Sequence, residues 1–494
     1  MEPANGSAAT RAGSDMIIIK GLHTLTKLLK VNRTFLRAAP TDSPASRFQR
    51  GDGIVGCGAE TGANVGSSSH RDVVNDGRDD GRLGERDLGG AACESQRSLR
   101  VLVSAYVCGP HEGSEPGAGW ALLRAAAVRH RVTVLTVPRY AGPIMEALAE
   151  EGITTVRVVP IATPAWLSRF TGKQGLGHAD YFFWQWRAWR VTSHLAADFD
   201  VAHHVTYSSD WTPVALHFVP GLPVVWGPVG GTAPFLWRLL PFMSFRGLVF
   251  EAVRTFLTNS SRVLTAAAVR RSGCVVVGAS REVAARFSGL GVPTFVEPAC
   301  ALPPAPADSE GARPARTPDG VRRAVFVGRL RSWKGPYLAL HAMTYLPGNW
   351  QLDLYGTGPE AAGLRRRAAR LGLGDRVRLL GQRPREEVFS ALLNADVFLL
   401  PTLHDTAAYS VAEAVRVGCP VVCLDVPGPP GLIESTTGIA VPASADAPRR
   451  LAEAMTRVTP HPPSDRWNAD RFTGLVDEWY CAAMSQFSGS AGSA

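Results

Sequence analysis

The chain has 494 residues, of which 45% are hydrophobic and 19% are charged, so it can bury the cores of two or three domains. It shows neither a run of about 20 apolar residues nor a signal-peptide pattern, so no membrane span or leader is expected. The net charge of +9 favours anionic partners such as nucleotides and phospholipid headgroups. Nucleic acid is not expected, since no zinc finger or RRM signature is present. The eight cysteines include no C-x-x-C pair, which predicts reduced cytosolic thiols and no zinc site.

Residues 1–97 differ in composition from the rest of the chain. The part from 51 onward is rich in Gly, Ser, Asp and Arg, which predicts a disordered extension. Before it, leucines between Leu22 and Leu36 alternate with basic residues, as in an amphipathic helix at a membrane surface. A second interpretation stays open, in which translation starts near Leu99 and this region is not part of the protein.

An α/β alternation begins at Leu99 and predicts an N-terminal domain over residues 98–300. A buried-strand run is followed by a glycine-rich loop, a helix over 120–130 and a strand over 132–137, which together make a βαβ unit. Further strands are predicted near 156–159, 201–205, 224–226 and 274–277.

A proline-rich linker is predicted over 301–321, and a second α/β domain over 322–464. Residues 465–494 are predicted as a C-terminal helix and flexible tail. The fold class is therefore α/β, with two doubly wound parallel-sheet domains. Ligands of such sheets bind at the carboxyl ends of the strands, which predicts a site in the cleft between the domains.

The clearest chemical pattern follows the first strand of the second domain. Gly328 and Arg329 end the strand, and Lys334 precedes the glycine that opens the next helix. Two cations beside a helix N-terminus favour an anion, because fixed charges and unpaired N–H groups act together. A solvated basic turn would show the same pattern.

Two carboxylates, Asp405 and Glu413, stand eight residues apart, a rise of about 12 Å if the segment is helical. A glycosidase acid/base pair needs roughly 5–9.5 Å, so hydrolysis is not expected. The spacing suits a longer ligand, such as a ribose–diphosphate–sugar, whose hydroxyls donate well to carboxylates. The other interpretation of Glu413 is a helix-surface residue that is merely solvated or pairs with Arg416.

In order and spacing, these elements resemble the C-terminal domain of the glycogen-synthase-like retaining glycosyltransferases, glycosyltransferase family four. The matching segments are Gly328-Arg329-Leu330 with Lys334-Gly335, Gly356-Thr357-Gly358-Pro359, Asp375-Arg376-Val377 through Gly381, Ala395-Asp396-Val397 to Pro401, Asp405 to Glu413-Ala414, and Gly418-Cys419-Pro420-Val421-Val422. The resemblance implies a GT-B fold, in which two Rossmann-like domains face each other across a cleft. It implies that 98–300 is the acceptor-side domain and that 322–464 is the nucleotide-sugar-binding domain.

The resemblance also implies a role for each matched residue. Arg329 and Lys334 would bind the donor diphosphate, Glu413 the nucleotide ribose, and Asp405 the transferred sugar. Further donor contacts are implied at Gly117, Gly328, Arg383, Ala408 and Tyr409, with the backbone around Arg383 reading the base.

The first domain matches more loosely and resembles a branch that assembles surface polysaccharide. Gly117 lies in the stretch 113–120, where the family places a glycine-rich loop near the donor phosphates. The family's catalytic histidine corresponds to His203 or His204, and we favour His204. The D-x-D pattern over 198–200 is interpreted as coincidence. The aromatic run over 181–190 predicts a helix packed on the first sheet or, alternatively, a membrane contact.

Two departures from the family pattern are present. Asp405 stands where the family has Glu, and the loop over 406–408 lacks the usual glycines. We expect a locally rebuilt site with a different sugar preference.

The expected function is retaining transfer of a hexose-type sugar from a nucleotide diphosphate sugar to a glycan or lipid-linked acceptor, without a metal or other cofactor. The expected location is the cytoplasm, with peripheral contact at the anionic inner face of the membrane. The alternatives are a GT-B sugar-nucleotide epimerase and a catalytically degenerate partner subunit.

Overall fold

The computed structural model describes residues 97–110, 112–164, 177–231, 236–303 and 320–491. The predicted extension, apart from Arg97, and most of the predicted linker lie outside these residues. The start of that linker is buried, because Ala301 and Leu302 pack in the interior and Leu302 bridges to Asn468.

The first sheet has seven parallel strands in the order β3-β2-β1-β4-β5-β6-β7. The strands are Arg100–Ser104, Arg131–Thr136, Val156–Pro160, Val201–His204, Val224–Val229, Val275–Gly278 and Thr294–Val296. Val101 and Val103 face one core and Leu102 faces the other, so β1 is apolar on both sides. Burial on both faces explains the near-continuous valine runs of this sheet.

Five helices cover the first sheet. They are α1 Ser114–Ala127, α2 Pro138–Glu150, α3 Gly177–Leu195, α4 Phe245–Ser272 and α5 Arg281–Ser288. The predicted loop over 113–120 is wrong, because α1 already begins at Ser114. Gly119 allows this helix to lie close to the chain after β1, since a Cβ there would meet the Val107 carbonyl oxygen at 2.7 Å.

The long helix α4 has well-defined ends. The Ser244 hydroxyl accepts a hydrogen bond from the Gly247 N–H at 3.1 Å, which caps the N-terminus. Gly273 follows the last residue with φ +59°, the left-handed conformation that commonly ends a helix. The sequence pattern does not reveal α4, because its apolar residues do not mark a buried face.

The second sheet has six parallel strands in the order β10-β9-β8-β11-β12-β13. The strands are β8 Arg322–Val327, β9 Trp350–Tyr355, β10 Val377–Gly381, β11 Val397–Leu400, β12 Val421–Asp425 and β13 Gly438–Pro442. This order is that of a doubly wound sheet whose switch point lies between β8 and β11.

The remaining helices alternate with these strands and end the chain. They are α6 Pro336–Met343, α7 Ala361–Arg370, α8 Arg385–Asn394, α9 Tyr409–Arg416, α10 Ala447–Arg457 and α11 Phe472–Ala491. The predicted two-domain α/β fold class is confirmed.

The last helix, α11, packs on the first domain although it follows the second in sequence. Trp479 and Tyr480 are buried in the core that β1 also lines. Asp477 accepts a hydrogen bond from the His130 ring at 2.8 Å and pairs with Arg129. The segment from 472 to 491 is therefore part of the first domain's core rather than a tail.

The run over 181–190 lies in α3, and Tyr181 and Trp184 are buried there, as the packing interpretation expects. Asp200 pairs with Arg100 at 2.9 Å, in keeping with a structural origin of the D-x-D pattern. Cys481 is disulfide-bonded, so the expectation of reduced thiols is wrong at this position. Within the described ranges, no helix is long and apolar enough to cross a bilayer.

Candidate functional site

Loops at the carboxyl edge of the second sheet approach one another closely. A Cβ on Gly356, after β9, would lie 2.1 Å from the Gly328 carbonyl oxygen, after β8. A Cβ on Gly358 would lie 2.3 Å from the Leu330 carbonyl oxygen. The two motif glycines are therefore required because neighbouring backbones touch at this edge.

The loops after β11 and β12 depend on glycine in the same way. Gly335 has φ +74°, and a Cβ there would lie 1.8 Å from the Pro401 carbonyl oxygen. Gly428 has φ +113°, and its Cβ would lie 1.8 Å from the Asp405 carbonyl oxygen. This close packing holds Lys334 and Asp405 beside each other.

The two residues expected on the diphosphate and on the sugar contact one another. The Lys334 ammonium donates to the Asp405 carboxylate, and both side chains are largely buried. The ammonium also lies 4.7 Å from the centre of the Trp333 ring. Arg329 is exposed and has no carboxylate partner among the described residues. The edge of the second sheet thus carries two cations: Lys334, which is paired with Asp405, and Arg329, which has no carboxylate partner among the described residues.

Glu413 is largely buried in the middle of α9 and accepts a hydrogen bond from Arg385 of α8 at 2.9 Å. Burial raises the pKa of Glu413, and Arg385 acts in the opposite direction. The alternative pairing with Arg416 is wrong, because Arg416 donates to the Pro303 carbonyl and to Asn468.

His404, next to Asp405, joins the two domains. Its Nε2 lies 3.0 Å from the Glu251 carboxylate of α4, and its ring stacks on Trp333 at 4.7 Å. Burial alone would raise the pKa of Glu251, but the partners His404 and Arg254 lower it below its usual range. The sequence analysis missed this contact, whose only visible sign is the position of His404 beside the motif carboxylate.

A second set of contacts between the domains lies at the N-terminus of α4. The Ser244 N–H donates to the Ser332 hydroxyl at 3.1 Å, and the Ser244 hydroxyl donates to Glu360 at 2.7 Å. Thr406 lies against Gly230, where a Cβ would come within 2.4 Å of the threonine methyl group. The loop over 406–408 therefore contacts the first domain directly.

The first domain contributes Glu115 and Tyr207 to the cleft. The Tyr207 N–H donates to the Glu115 carboxylate at 2.5 Å, and burial raises the pKa of Glu115. Burial also raises the pKa of Tyr207, and the charge of Arg329 acts against that rise. The Glu115 charge, in contrast, adds to the rise in pKa that burial causes at Tyr409. Residues of both domains thus share one electrostatic environment.

The two candidate histidines are both fully buried at the end of β4. His204 contacts the Ser104 hydroxyl at 2.9 Å and the Tyr181 hydroxyl at 3.0 Å, so both ring nitrogens have partners. Burial lowers the pKa of His204 to about 3 and that of His203 to about 4, which keeps both rings neutral. A catalytic role for His204 stays a prediction.

The other predicted donor contacts occupy different positions. Gly117 is buried within α1, where a Cβ would lie 2.2 Å from the Glu112 carbonyl oxygen. Arg383 is exposed after β10, and its Nε donates to the Leu380 carbonyl at 3.0 Å.

The remaining two are buried. Ala408 immediately precedes α9, and the Tyr409 hydroxyl accepts a hydrogen bond from the Ala301 N–H at 3.2 Å. Gly328, Lys334, Asp405 and the start of α9 meet at one edge, whereas Gly117 lies inside a helix of the opposite domain.

Comparison with known proteins places this edge in a family. Residues 310–466 match the family model described as glycosyl transferases group 1. The second domain is a group 1 glycosyl transferase domain. The resemblance stated from the motifs is confirmed for these residues.

Curated relatives match about a quarter of the chain. The D-inositol 3-phosphate glycosyltransferase of Corynebacterium efficiens is 34% identical over 126 residues, which are 24% of this chain and 30% of that protein. The amylovoran biosynthesis glycosyltransferase AmsK of Erwinia amylovora is 35% identical over 146 residues, or 28% and 36%. The chain thus spans about a third of the length of these relatives.

Among solved structures, the Anabaena protein HepE in complex with UDP and glucose is similar. The match has a TM-score of 0.45 and 16% identity, and it covers 80% of this chain and 100% of that one. In the part of the chain that the structure describes, no cluster of three or more His, Cys, Asp or Glu side chains is arranged to hold a metal.

The role of close backbone packing is tested at Gly335. Gly335→Ala should destabilise the protein by about 2 kcal/mol or more, because a Cβ would clash with Pro401 and φ is positive. Gly372→Ala is the matched control, since its φ is +66° but its Cβ meets open space, and it should cost about 1 kcal/mol. Equal losses in urea unfolding would contradict the packing argument.

The environment of Glu413 predicts a pH dependence. Because its folded-state pKa is raised, its contribution to stability is full at low pH and is lost as pH rises through the folded-state value. Glu413→Gln should therefore gain stability relative to the wild type with rising pH, by at most about 1.4 kcal/mol per pH unit within that window. Urea unfolding between pH 4 and 8 measures this, with the exposed Glu386→Gln as control. A difference independent of pH would refute the prediction.

Proposed function

We propose that the protein is a retaining glycosyltransferase that transfers a hexose-type sugar from a nucleotide diphosphate sugar to a glycan or lipid-linked acceptor. The observation that carries the proposal is the placement of Lys334 beside Asp405, at the packed carboxyl edge of a group 1 domain. A diphosphate and a sugar are the ligand parts that suit an ammonium and a carboxylate in contact.

The Lys334–Asp405 pair gives the free protein a balanced site. A buried ammonium without a partner would be costly, and Asp405 supplies that partner while no donor is bound. An incoming diphosphate competes for the ammonium and leaves Asp405 free to accept hydrogen bonds from sugar hydroxyls. Arg329, which is exposed, adds a second charge without breaking an existing pair.

Departure of the nucleotide diphosphate is the step that these cations serve. Negative charge grows on the diphosphate as the glycosidic bond breaks, and fixed positive groups lower the barrier when they favour that charge. Arg329 and Lys334 supply such groups, so we propose that transfer does not require a metal. Closure of the domains over the donor would exclude water and limit its hydrolysis.

Glu413 would bind the ribose of the donor. Arg385 opposes the effect of burial and favours the charged carboxylate, which then accepts hydrogen bonds from the two ribose hydroxyls. The backbone near Arg383 would contact the base. His204, Gly117, Ala408 and Tyr409 keep the roles that the resemblance implies as part of this proposal.

The acceptor is proposed from chemistry and relatives together. AmsK is named for amylovoran biosynthesis, and another relative, TuaC of Bacillus subtilis, for putative teichuronic acid biosynthesis. Both relatives are named as glycosyltransferases of a biosynthesis, and by analogy we propose a glycan or lipid-linked acceptor for this protein. We propose that the protein acts in the cytoplasm, at the inner face of the membrane.

Donor binding is tested with a panel of nucleotide diphosphate sugars in thermal unfolding. A true donor at 100 times its dissociation constant should stabilise the protein by about 2.7 kcal/mol. Absence of stabilisation by every member would contradict the proposal. A glycosylated product separates a transferase from a degenerate subunit, and epimerised donor without acceptor would reveal an epimerase.

The two cations give a sharper test. Arg329→Ala and Lys334→Ala should each lower kcat by about 100-fold or more, because their charge matters most as the diphosphate departs. Arg365→Ala, an exposed arginine on α7, is the control and should be neutral. Losses of melting temperature in proportion to kcat would indicate a structural role instead. Chelator should leave the wild-type rate unchanged, and a loss restored by manganese would contradict metal independence.

Asp405 is tested by changing its reach. Asp405→Glu adds a methylene and moves the carboxylate by about 1 Å, an error that can cost about 100-fold in rate. We expect slower transfer, because Lys334 and the loop carrying Thr406 already fit the shorter side chain. A faster Asp405→Glu enzyme would show that the natural site is impaired. Asp405→Asn should lose activity, while the exposed Asp375→Glu should not.

A further inference from the structure

Helix α4 exposes large apolar side chains and buries polar ones, which is the reverse of the usual arrangement in a surface helix. Five large apolar residues, here called the outer stripe, recur at helical spacing and are exposed: Phe245, Val249, Val253, Phe256 and Val263. Phe245, Phe256 and Val263 expose 79%, 70% and 71% of their surface. The intervals of four, four, three and seven residues place all five on one side of the helix.

The opposite side of α4 faces the protein and is mostly small or polar. Its buried residues include Gly247, Glu251, Thr258 and Thr265. A surface helix ordinarily buries its apolar stripe and exposes its polar one. In α4 the large apolar side chains point away from the core, so the packing of the described residues does not explain them.

The exposed side of α4 is also basic. Arg246, Arg270 and Arg271 are exposed near its two ends, and Glu251, the helix's single acidic residue, is buried and paired with Arg254. Just before the helix, Trp237 is 64% exposed, and Arg238 stacks on its ring at 5.1 Å. Apolar residues bordered by arginines, with an aromatic ring at the edge, suit the interface of a lipid bilayer.

We propose that the outer stripe of α4 docks on an anionic membrane surface, with the helix lying in the plane of the interface. The stripe enters the boundary between headgroups and acyl chains, and Arg238, Arg246, Arg270 and Arg271 contact lipid phosphates. This proposal rests on the proposed function, because docking would serve transfer to a lipid-linked acceptor. Its test does not depend on that activity.

The charge of the helix favours a membrane over a second copy of the chain. Two outer stripes in contact would bring the arginines at their ends together in either a parallel or an antiparallel arrangement, and like charges would repel. An anionic bilayer has the complementary charge and also covers the apolar side chains.

The inner side of α4 links this surface to the donor site. Glu251 contacts His404, the neighbour of Asp405, and Gly247 lies against Ser332, two residues before Lys334. A helix resting on the bilayer would therefore hold the donor-binding edge at a fixed height above the membrane. A lipid-linked acceptor in that bilayer would need little displacement to reach the site.

The test is co-sedimentation of the full chain with vesicles of phosphatidylcholine alone or with 30 mol% phosphatidylglycerol. We expect binding to the anionic vesicles that weakens with salt. Phe245→Ser/Val253→Ser/Phe256→Ser should weaken it at least tenfold, and Arg246→Gln by about fivefold. The matched control is Val128→Ser/Met145→Ser/Tyr345→Ser, three exposed apolar residues elsewhere, and it should bind as the wild type does.

Two outcomes would overturn the assignment. One is unchanged vesicle binding by the triple variant of the outer stripe, which would place the contact elsewhere in the chain. The other is a wild-type dimer, seen in sedimentation velocity without lipid, that this variant abolishes. Stabilisation by nucleotide diphosphate sugars is measured on the same samples. If they stabilise none of the proteins, the wild type included, the proposed function is refuted and the docking result remains valid.

Discussion

Close approach of backbones at the carboxyl edge of the second sheet is the constraint on which the site depends. Loops from four neighbouring strands meet there. Their backbones can approach one another this closely only at glycines, which have no Cβ. At Gly335 and Gly428 the missing atom would lie 1.8 Å from a carbonyl oxygen of the loop after β11. That loop carries Asp405, so its position follows from backbone packing rather than from side-chain flexibility. The family's glycine pattern thus has a structural origin as well as a ligand-related one.

The packed edge also explains how the site keeps its charges. Lys334 and Asp405 neutralise each other, and Arg385 offsets the burial of Glu413. A buried charge without a partner would cost several kcal/mol, so each group expected to meet the donor is held by a partner. The exception among the charged residues expected to meet the donor is Arg329 at the exposed rim, which has no carboxylate partner in the described part of the chain. Donor binding would exchange partners inside the site instead of creating new buried charge.

Sequence patterns predict the fold well in segments where one hydrophobic period, that of a strand or that of a helix, dominates. The strands predicted near 156–159, 201–205 and 224–226 are found at Val156–Pro160, Val201–His204 and Val224–Val229, because short apolar runs rich in valine are a clear strand signal. The patterns fail at α4, whose apolar side faces outward, and over 113–120, where glycines lie inside a helix rather than in a loop. The glycine prediction failed because a small residue serves helix–strand contact as well as turns.

The sequence predicts which residues belong to the site, but not which of them contact each other. Motif spacing brings Lys334, Asp405 and Glu413 to one edge, yet nothing local indicates that the first two contact each other or that Arg385 holds the third. Pairing depends on which loops touch, and that is decided by packing across the sheet. The same reasoning applies to α4: its residues gain meaning only once Glu251 is seen to face His404. Its inner side is fixed by the donor-binding domain, so its outer stripe is turned outward by the geometry that builds the site.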